Sequence, residues 1–352
     1  MTRGRTLVAM SGGVDSAVAA ALLREAGHDI FGVTLHLWDA RPPQSVGRCC
    51  APDDRDDARR VCDALGIAHY VLDARERFRS QVVEPFVEEH RAGRTPSPCV
   101  HCNAHLKLDF LTDLADRLGA DGIATGHYAR VHTDGRGVHH LLRGRDSHKD
   151  QSYFLFGLSQ AVLGRLQLPL GELTKDQARR EAERLGLHVA RKPDSQELCF
   201  IPDGDVKGFL QREGLPARPG LLRSTSGGEL GRHGGIAGFT VGQRRGIGLG
   251  GGPPRYVVRI DTDTAAVVVG SEDELLSSRL RARGAHWTVA EPSAPVQAHV
   301  RIRYRHRAAP AVVTPQGDCF EVCFEQPQRA IAPGQAAVLY QDDEVIGGGF
   351  IA

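Results

Sequence analysis

The chain has 352 residues, enough for two or three domains, and 41% of them are hydrophobic, which suffices for a sizeable core. Its 44 Lys and Arg against 43 Asp and Glu leave a formal net charge of +1, so any nucleic-acid contact must come from a local basic patch. No apolar stretch approaches the roughly 18 residues of a membrane span, and the first apolar run is too short for a signal peptide. We therefore expect a cytoplasmic protein with no membrane contact.

Strand and helix patterns alternate through the first part of the chain. Apolar periodicity predicts strands at 6–10, 30–37, 69–74 and from 121, and helices at 16–25, 53–65 and 103–118. Further on, Thr174 and Gln177 form the capping-box pattern of a helix start. This order predicts an α/β fold with a doubly wound, mostly parallel sheet, whose ligands bind beyond the carboxyl ends of the strands.

The pattern changes after Pro202, where glycine becomes frequent. Residues 255–270 predict a hairpin around Thr262–Thr264, and short alternating strands from Leu280 onward predict a compact β-barrel. The charged segment 271–278 is interpreted as a linker. The predicted domains are an α/β domain at 1–202, a small β-rich central domain at 203–272 and a C-terminal β-barrel at 279–352.

The first strand runs into the segment Ser11-Gly12-Gly13-Val14-Asp15-Ser16, which an alanine-rich helix follows. Backbone N–H groups at a helix start bind anions, and the two glycines let an anion approach closely. The serines add hydroxyl donors, and Asp15 can help to bind a metal that accompanies phosphates. The lysine of the common phosphate loop is missing, which disfavours simple γ-phosphoryl transfer. A glycine-rich turn without a ligand is the alternative interpretation.

Eight cysteines in such a chain indicate thiol or metal chemistry more than structural disulfides. Cys99 and Cys102 form a C-x-x-C pair before a predicted helix, where a thiol has a lowered pKa. Cys199 follows far downstream, after a proline-containing turn. A structural zinc site is the alternative, although one C-x-x-C supplies only two of the usual four ligands.

The remaining cysteines are given simpler interpretations. Cys62 is assigned to the core, on a helix beside Val61 and Leu65. Cys319 and Cys323 are expected on one face of a barrel strand as buried structural thiols. Cys49 and Cys50 lie in a predicted loop and receive no role.

The string SGGVDS resembles the loop of the ATP pyrophosphatase (PP-loop) superfamily, whose members have an adenine nucleotide alpha hydrolase-like fold. These enzymes cleave ATP between the α- and β-phosphates, transfer AMP to an oxygen and hold the pyrophosphate in this loop. The resemblance implies ATP with Mg²⁺ as cofactor. It also implies that Leu35 and Gly126 flank the adenosine and that the following residues contact ATP: Ala9, Met10, Ser11, Gly12, Gly13, Val14, Asp15 and Ser16.

Further strings extend the resemblance in chain order: GRCCAPDDRDDARRVCDALGIAHYVLD, CNAHLKLDF, ATGHYARV, KDQSYFLFGL, KPDSQELCFIP and FTVGQRRGIG. Together they resemble the tRNA-specific 2-thiouridylase family over nearly the whole chain. That family adenylates O2 of the wobble uridine in tRNA and replaces this oxygen with sulfur. The resemblance implies that Cys102 is the nucleophile, that Cys199 carries persulfide sulfur, and that the two form a disulfide as sulfur leaves. The implied partners are the tRNA anticodon stem-loop and a cysteine desulfurase or sulfur-relay protein.

One position departs from the family pattern. Many members carry Asp where this chain has Cys99. The thiols of Cys99, Cys102 and Cys199 could then hold three corners of a [4Fe–4S] cluster and leave one iron open for sulfide. A persulfide relay is our first hypothesis, and cluster-assisted transfer is the second.

A basic segment near the C-terminus is the candidate RNA-binding surface. The string VRIRYRHR predicts a strand with Arg301, Arg303, Arg305 and Arg307 on one face, about 7 Å apart and suited to successive phosphates. A solvated barrel face is the alternative. The family resemblance implies that Asp150 acts by positioning and that the tRNA contacts include His127, Lys149, Asp150, Gln151, Tyr304, Arg305 and Gln335.

Two other functions are weighed against thiolation. Another PP-loop ligase, such as an amidating or argininosuccinate-type synthetase, needs no paired thiols, so Cys102 and Cys199 argue against it. A zinc-containing RNA-binding module could keep the ATP loop as a relic, but the intact Ser11, Asp15 and Ser16 argue against that.

Overall fold

The computed structural model describes residues 3–39, 52–194 and 197–352. The strands of its first half are β1 (Arg3–Ala9), β2 (His28–His36), β3 (His69–Asp73), β4 (Gly122–Ala124), β5 (Ala129–Thr133), β6 (His139–Arg143) and β7 (Leu166–Gln167). Those of the second half are β8 (Gly220–Ser224), β9 (Glu229–His233), β10 (Tyr256–Asp261), β11 (Ala266–Gly270), β12 (Leu276–Trp287), β13 (Val296–Arg301), β14 (Ala309–Gln316), β15 (Cys319–Arg329), β16 (Ala336–Gln341) and β17 (Glu344–Ile351).

The α-helices are α1 (Val14–Glu25), α2 (Pro52–Leu65), α3 (Arg75–Phe78), α4 (Glu84–Arg91), α5 (Pro98–His101), α6 (Asp109–Arg117), α7 (Gln160–Leu163), α8 (Lys175–Arg184) and α9 (Val206–Arg212). Segments of π-helix run over Arg79–Val83 and Cys102–Leu108. Turns of 3₁₀-helix lie at Ser152–Phe154, His188–Arg191, Ile236–Gly238 and Asp273–Leu275. None of the helices in the described ranges combines the length and the apolar character needed to cross a bilayer.

Contacts divide the chain into two compact units, each made of several segments. The first unit comprises Met1–Val82, Cys99–Gly204 and Asp343–Val345. The second unit comprises Val83–Pro98, Asp205–Asp342 and Ile346–Ala352. Strand β17 therefore contributes to both units, and its first two residues pair with Leu141 and Leu142 of β6 in the first unit.

The first unit is built on a five-stranded parallel sheet in the order β3-β2-β1-β4-β7. Its central strand is β1, where Val8 pairs with Gly32 on one side and Ala124 on the other. Helix α1 is rich in alanine, and its small side chains let it pack closely against β2, α2 and α8. The predicted doubly wound parallel sheet is confirmed.

Two local predictions in this unit were wrong in detail. The helix predicted at 103–118 starts at Pro98, and its middle is the π-helical segment Cys102–Leu108. Leu106, Leu108 and Leu111 are buried, whereas Leu118, just beyond the end of α6, is 39% exposed. The strand predicted from Asp121 is two strands, β4 and β5, separated by a loop. The capping box of Thr174 and Gln177 is confirmed by both of its hydrogen bonds.

The second unit contains a four-stranded sheet and a closed barrel. The sheet has the order β10-β11-β8-β9, and its β10–β11 hairpin confirms the turn predicted around Thr262–Thr264. The barrel has the order β12-β15-β14-β13-β16-β17, and pairing of β12 with β17 closes it. Alternating inward side chains, among them Val300, Phe320 and Leu339, fill its core. The predicted C-terminal β-barrel is confirmed. Its first strand begins at Leu276, inside the segment interpreted as a linker.

The arginine row predicted in VRIRYRHR was wrong. Strand β13 ends at Arg301, and the chain then bends and turns until β14 begins at Ala309. Ile302 is buried in the barrel core, and the Arg301 guanidinium donates back to the Tyr304 carbonyl. Because the turn breaks the two-residue period, the arginines do not line one strand face.

The cysteine predictions had mixed outcomes. Cys62 is fully buried, which confirms its place in the core. Cys319 and Cys323 do share one face of β15, but that face points outward, since the alternate residues Phe320 and Val322 fill the barrel. Cys319 is half-buried and Cys323 is exposed, so the prediction of buried thiols was wrong. Cys49 and Cys50 lie outside the described residues.

Candidate active site

The candidate site lies where the strand order of the parallel sheet reverses, between β1 and β4. Ligands of open α/β sheets bind at this switch point, beyond the carboxyl ends of the strands. The segment after β1 carries Gly12 and Gly13, and the segment after β4 carries Gly126. A Cβ atom on Gly126 would lie 2.6 Å from the carbonyl carbon of Asp15 and 2.7 Å from the amide nitrogen of Ser16. The two segments are therefore in direct contact, and only glycine fits at 126.

The segment 11–16, here called the phosphate loop, is closed by its own side chains. Ser16 Oγ accepts the Ser11 amide at 3.2 Å and donates to the Gly13 carbonyl at 3.1 Å. Gly12 has φ of +74°, and a Cβ atom there would collide with the Asp54 backbone. Helix α1 begins directly after Gly13 and has no side-chain cap, so its first N–H groups are suited to an anion.

A buried lysine from α8 lies on the phosphate loop. Lys175 is 7% exposed, and its Nζ lies 2.8 and 2.9 Å from the two carboxylate oxygens of Asp15. The same ammonium lies 2.7 Å from Asp194 Oδ1, and the Tyr128 hydroxyl donates to Asp15 at 2.8 Å. The capping box located the start of α8, but nothing in the sequence indicated that its first residue reaches the loop.

A second lysine, Lys192, contacts the other end of the loop. Its Nζ donates to the Gly12 carbonyl at 3.0 Å, to Asp57 at 2.6 Å and to Asp54 at 2.5 Å. Burial lowers the pKa of Lys192, but the hydrogen bonds to Asp54 and Asp57 outweigh it and raise that pKa above its usual range. Lys192 therefore stays charged, and the loop has two cations that the sequence motif lacks.

Asp194 ties this cation cluster together. It accepts Lys149 and Lys175 at 2.7 Å each and Arg179 at 3.0 Å. Burial acts to raise the pKa of Asp194, but the bonds from Lys149 and Lys175 more than offset it and hold that pKa below its usual range. In this state the carboxylates neutralise the cations, and a polyphosphate bound at the loop would offer them alternative acceptors.

The thiols of the predicted site lie in segments that share one neighbour. Cys102 opens the π-helical segment, which contacts α3. The Phe78 ring of α3 lies 5.6 Å from the ring of Phe200, the residue after Cys199. Cys102 is 5% exposed, Cys199 is half-buried and Cys99 is exposed. The structure thus places the segments of Cys102 and Cys199 against the same short helix.

The described side chains do not form a metal site. Within residues 3–39, 52–194 and 197–352, no three His, Cys, Asp or Glu side chains are grouped closely enough to hold a metal ion. Cys99, Cys102 and Cys199 therefore do not form the three-thiol corner that a [4Fe–4S] cluster requires. Both oxygens of Asp15 already accept the Lys175 ammonium, so a Mg²⁺ ion there would have to displace it.

The predicted RNA contacts of the first unit lie beside the loop after β4. His127 Nδ1 lies 2.9 Å from the Thr125 hydroxyl, and burial together with the charge of Lys107 lowers the pKa of His127 to about 3. Gln151 accepts the Tyr128 amide at 2.9 Å. Asp150 is 3% exposed and accepts two backbone amides, those of Gly144 and Ser152, at 3.1 Å each. Asp150 therefore fixes the backbone conformation between Gly144 and Ser152.

The predicted RNA contacts of the second unit have different environments. Arg303 donates to the Arg329 carbonyl at 3.1 Å and is held against the barrel. Tyr304 lies under the Arg301 guanidinium at 5.3 Å, whereas Arg305 is exposed. Gln335 directs its amide at backbone carbonyls within the unit.

Of the residues predicted to flank the adenosine, Leu35 lies half-buried near the end of β2 in the first unit, beside Leu72 of β3.

Comparison with known proteins matches nearly the whole chain. Residues 4–203 match the family model described as tRNA methyl transferase HUP domain, 207–271 its PRC-barrel domain, and 277–351 the aminomethyltransferase beta-barrel domain. The tRNA-specific 2-thiouridylase MnmA of Syntrophotalea carbinolica is 52% identical over 348 residues, 98% of each chain. The protein of the same name from Acidobacterium capsulatum is 50% identical over 365 residues, again 98% of each chain.

Proposed function

Because the chain belongs to the tRNA-specific 2-thiouridylase family, we propose that it uses ATP to convert the wobble uridine of tRNA into 2-thiouridine. The products besides the modified tRNA are AMP and pyrophosphate. The observation that carries this proposal is a pair of lysines, the buried Lys175 and the half-buried Lys192, at a phosphate loop whose own sequence has none.

In the adenylation step, O2 of the uridine attacks the α-phosphorus of ATP. The bond to the β-phosphate breaks, and the pyrophosphate leaves with the electron pair. Charge develops on that leaving group, where the N–H groups at the start of α1 and the two ammonium groups would stabilise it. A Mg²⁺ ion bound with the nucleotide would neutralise part of the phosphate charge, and Asp15 is the side chain that would help to hold it once Lys175 is displaced. We assign the nucleotide contacts to residues 9–16, with Leu35 and Gly126 beside the adenosine.

In the sulfur step, adenylation makes O2 a good leaving group and C2 an electrophile. A persulfide on Cys199 attacks C2 with its terminal sulfur, and AMP leaves with the oxygen. The Cys102 thiolate then attacks the Cys199 sulfur, so that 2-thiouridine is released and a Cys102–Cys199 disulfide forms. An external thiol reduces this disulfide, and a cysteine desulfurase or relay protein supplies the next persulfide sulfur. The shared contact of both thiol segments with α3 supports this pairing.

The RNA is proposed to bind through its anticodon stem-loop. The target uridine must leave its stack to reach adenylation chemistry. His127 is neutral at physiological pH, so it meets a base as a hydrogen-bonding ring and not as a cation. We assign the other contacts to Lys149, Gln151, Tyr304 and Arg305. Asp150, which accepts the Gly144 and Ser152 amides, holds the backbone that carries Lys149 and Gln151. Catalysis and the RNA contacts of His127, Lys149 and Gln151 are assigned to domain 1–202, and the remaining RNA binding to domain 279–352, with domain 203–272 between them in the chain.

A direct test combines the protein with ATP, unmodified tRNA, a cysteine desulfurase and cysteine. We expect pyrophosphate, AMP and 2-thiouridine, the last measured by mass spectrometry of tRNA nucleosides. Cys102→Ser should release pyrophosphate without forming 2-thiouridine, whereas the matched control Cys323→Ser, at an exposed barrel thiol, should behave as wild type. Absence of pyrophosphate with every tRNA tested would reject the proposal.

The iron–sulfur version is tested separately, because the three thiols do not form a ligand group. Anaerobic purification followed by iron and sulfide analysis decides it. We expect iron-free protein with full thiolation activity, and stoichiometric iron required for activity would replace the persulfide relay.

A further inference from the structure

Helix α8 carries two long basic side chains on one side, Lys175 and Arg179, which are four residues apart. Lys175 reaches Asp15 of the phosphate loop. The Arg179 guanidinium instead reaches residues 190–194, here called the lysine segment because Lys192 lies at its centre. All of these residues belong to the first unit. Arg179 therefore contacts the backbone from which the second cation of the site extends.

Three hydrogen bonds join Arg179 to the lysine segment. Its Nη1 group donates to the Ala190 carbonyl at 2.8 Å. Its Nη2 group donates to the Lys192 carbonyl at 3.2 Å and to Asp194 Oδ1 at 3.0 Å. The bonds reach every second residue of the segment, and the planar guanidinium presents its donors in fixed directions. One side chain therefore holds the chain before, at and after Lys192.

The lysine segment has little regular structure of its own. Its first two residues end a 3₁₀ turn, and the Lys192 amide donates to the Val189 carbonyl at 2.9 Å. Residues 192–194 lie in neither a helix nor a strand, and Pro193 has no amide hydrogen to donate. The guanidinium thus fixes a position that secondary structure does not fix.

The Lys192 side chain is held at both of its ends. Asp54 and Asp57 accept its ammonium group, which also donates to the Gly12 carbonyl. Arg179 holds the backbone from which the side chain starts. Because the four-carbon stem of a lysine is flexible, its ammonium returns to one place on the phosphate loop only if the backbone stays in place.

Asp194 depends less on Arg179 than the Lys192 backbone does. Its carboxylate also accepts Lys149 and Lys175 at 2.7 Å each, so two cations remain when the guanidinium is removed. Asp194 would therefore not become an unpaired, partly buried charge. The effect of losing Arg179 should fall mainly on Lys192.

We propose that Arg179 is a positioning residue for Lys192 in the adenylation step. By fixing the lysine segment, it keeps the Lys192 ammonium at the Gly12 end of the phosphate loop, where charge develops on the leaving pyrophosphate. Adenylation should slow without Arg179, whereas tRNA binding should not change. The functional part of this inference rests on the proposed use of ATP.

A double-mutant cycle tests whether Arg179 acts through Lys192. The variants are Arg179→Met, which keeps an apolar stem, Lys192→Met and the pair, with single-turnover pyrophosphate release at saturating ATP and tRNA as the readout. We expect the rate to fall roughly tenfold in Arg179→Met, roughly 30-fold in Lys192→Met and no more than about twofold further in the pair. A loss of roughly 300-fold in the pair, the product of the two single effects, would overturn the proposal.

Two further variants separate position from charge. Arg180→Met, at the exposed next residue of α8, is the matched control and should leave the rate unchanged. Arg179→Lys retains a cation beside Asp194, but an ammonium on a shorter side chain cannot span the three acceptors as the guanidinium does. Its rate should therefore stay within about twofold of that of Arg179→Met. Full recovery in Arg179→Lys would show that Arg179 contributes charge alone and would overturn the positioning role.

Hydrogen exchange of the full-length protein, without ATP or tRNA, reads the lysine segment directly. Exchange at the Ala190 and Lys192 amides should be roughly tenfold faster in Arg179→Met and unchanged in Arg180→Met. Unchanged exchange in Arg179→Met would mean that the guanidinium does not hold the segment. If wild type releases no pyrophosphate with any tRNA, the proposed function fails, while the exchange result still decides whether Arg179 fixes the segment.

Discussion

The phosphate loop and the arginine-rich turn 301–307 both concentrate positive charge, but they hold it in opposite ways. At the loop, Lys175 and Lys192 are largely buried, and each ammonium contacts two carboxylates. In the turn, Arg305 and Arg307 are exposed, and Arg301 and Arg303 point back at backbone carbonyls. A buried cation that is paired with carboxylates is held in place before its anionic ligand binds. An exposed cation contributes only a modest, salt-dependent affinity for an anionic ligand. The comparison predicts large effects at the loop and small ones in the turn.

The largest effect should come from Lys175→Met. The change removes a buried cation from Asp15 and the leaving pyrophosphate, so kcat/KM for ATP should fall at least about 100-fold, or about 3 kcal/mol. Pyrophosphate release measures it. Lys207→Met, at an exposed lysine of α9, is the control and should leave the rate unchanged. Lys175→Arg, which keeps the charge, should recover part of the activity, and an equal loss in both Lys175 variants would contradict the role of charge.

The arginine-rich turn and the loop after β4, which contacts the phosphate loop, each contain a histidine that is kept neutral. Burial and Lys107 lower the pKa of His127 to about 3, and burial with Arg303 and Arg301 lowers that of His306 to about 4. In contrast, the hydrogen bond with Glu344 raises the pKa of His140. An NMR titration should find the first two rings neutral at pH 5, when His140 is already protonated.

The same shift predicts a pH dependence of stability. Between pH 6.5 and about 3 the unfolded chain binds a proton at His127 that the folded chain does not, so stability falls as the pH falls. From pH 7 to pH 5 this contribution is about 2 kcal/mol. Urea unfolding of wild type and His127→Gln at both pH values measures it, and the variant should lose less stability. Equal losses in both proteins would mean that the folded-state pKa is not depressed.

A fourth prediction concerns the contact between the phosphate loop and the segment that carries Gly126. In Gly126→Ala the added Cβ would meet the Asp15 and Ser16 backbone, so the phosphate loop must shift. We expect KM for ATP to rise roughly tenfold with a smaller change in tRNA Kd, since a displacement below 1 Å already disturbs such a site. Gly135→Ala, in an open turn of the β5–β6 connection, is the matched control. An unaltered KM in Gly126→Ala would mean that the loop tolerates displacement.

The smallest effects should separate two arginines of the turn. Arg305→Ala should weaken tRNA binding only a few-fold and lower the salt dependence by about one phosphate contact, without changing stability. Arg303→Ala should cost about 1 kcal/mol of stability through its lost carbonyl contacts. Filter binding at several salt concentrations and urea unfolding measure the two effects. The reverse assignment would show that Arg303 is the RNA contact.

The sequence predicted the phosphate loop because that site is made of neighbours in the chain. Glycines, hydroxyls and a helix start lie within six residues, and backbone geometry does the binding. The lysines could not be found in this way, since Lys175 is 160 residues from Asp15 and Lys192 is 180 residues from Gly12. Tertiary packing alone brings them together, and a lysine at the start of a helix carries no local sign of its partner.

The failures in the barrel have a different cause. The alternation in VRIRYRHR continues past Arg301 although the strand does not, because turn residues need no change of composition. Likewise, the period-two pattern placed Cys319 and Cys323 on one face but did not indicate which face is inward. Regular helical spacing likewise gave no sign of the π-helical segment that begins at Cys102. Here the periodicity of the sequence located the strands and helices, but it did not indicate where they end or which face is buried.

The final strand also determines how this protein can be divided. Because Asp343–Val345 completes the first unit and Ile346–Ala352 the second, the two units are interlaced along the polypeptide. No single cleavage of the chain yields either unit whole. Removing the last ten residues would take strand partners from both at once, so deletion of a short tail should be as damaging as loss of a domain.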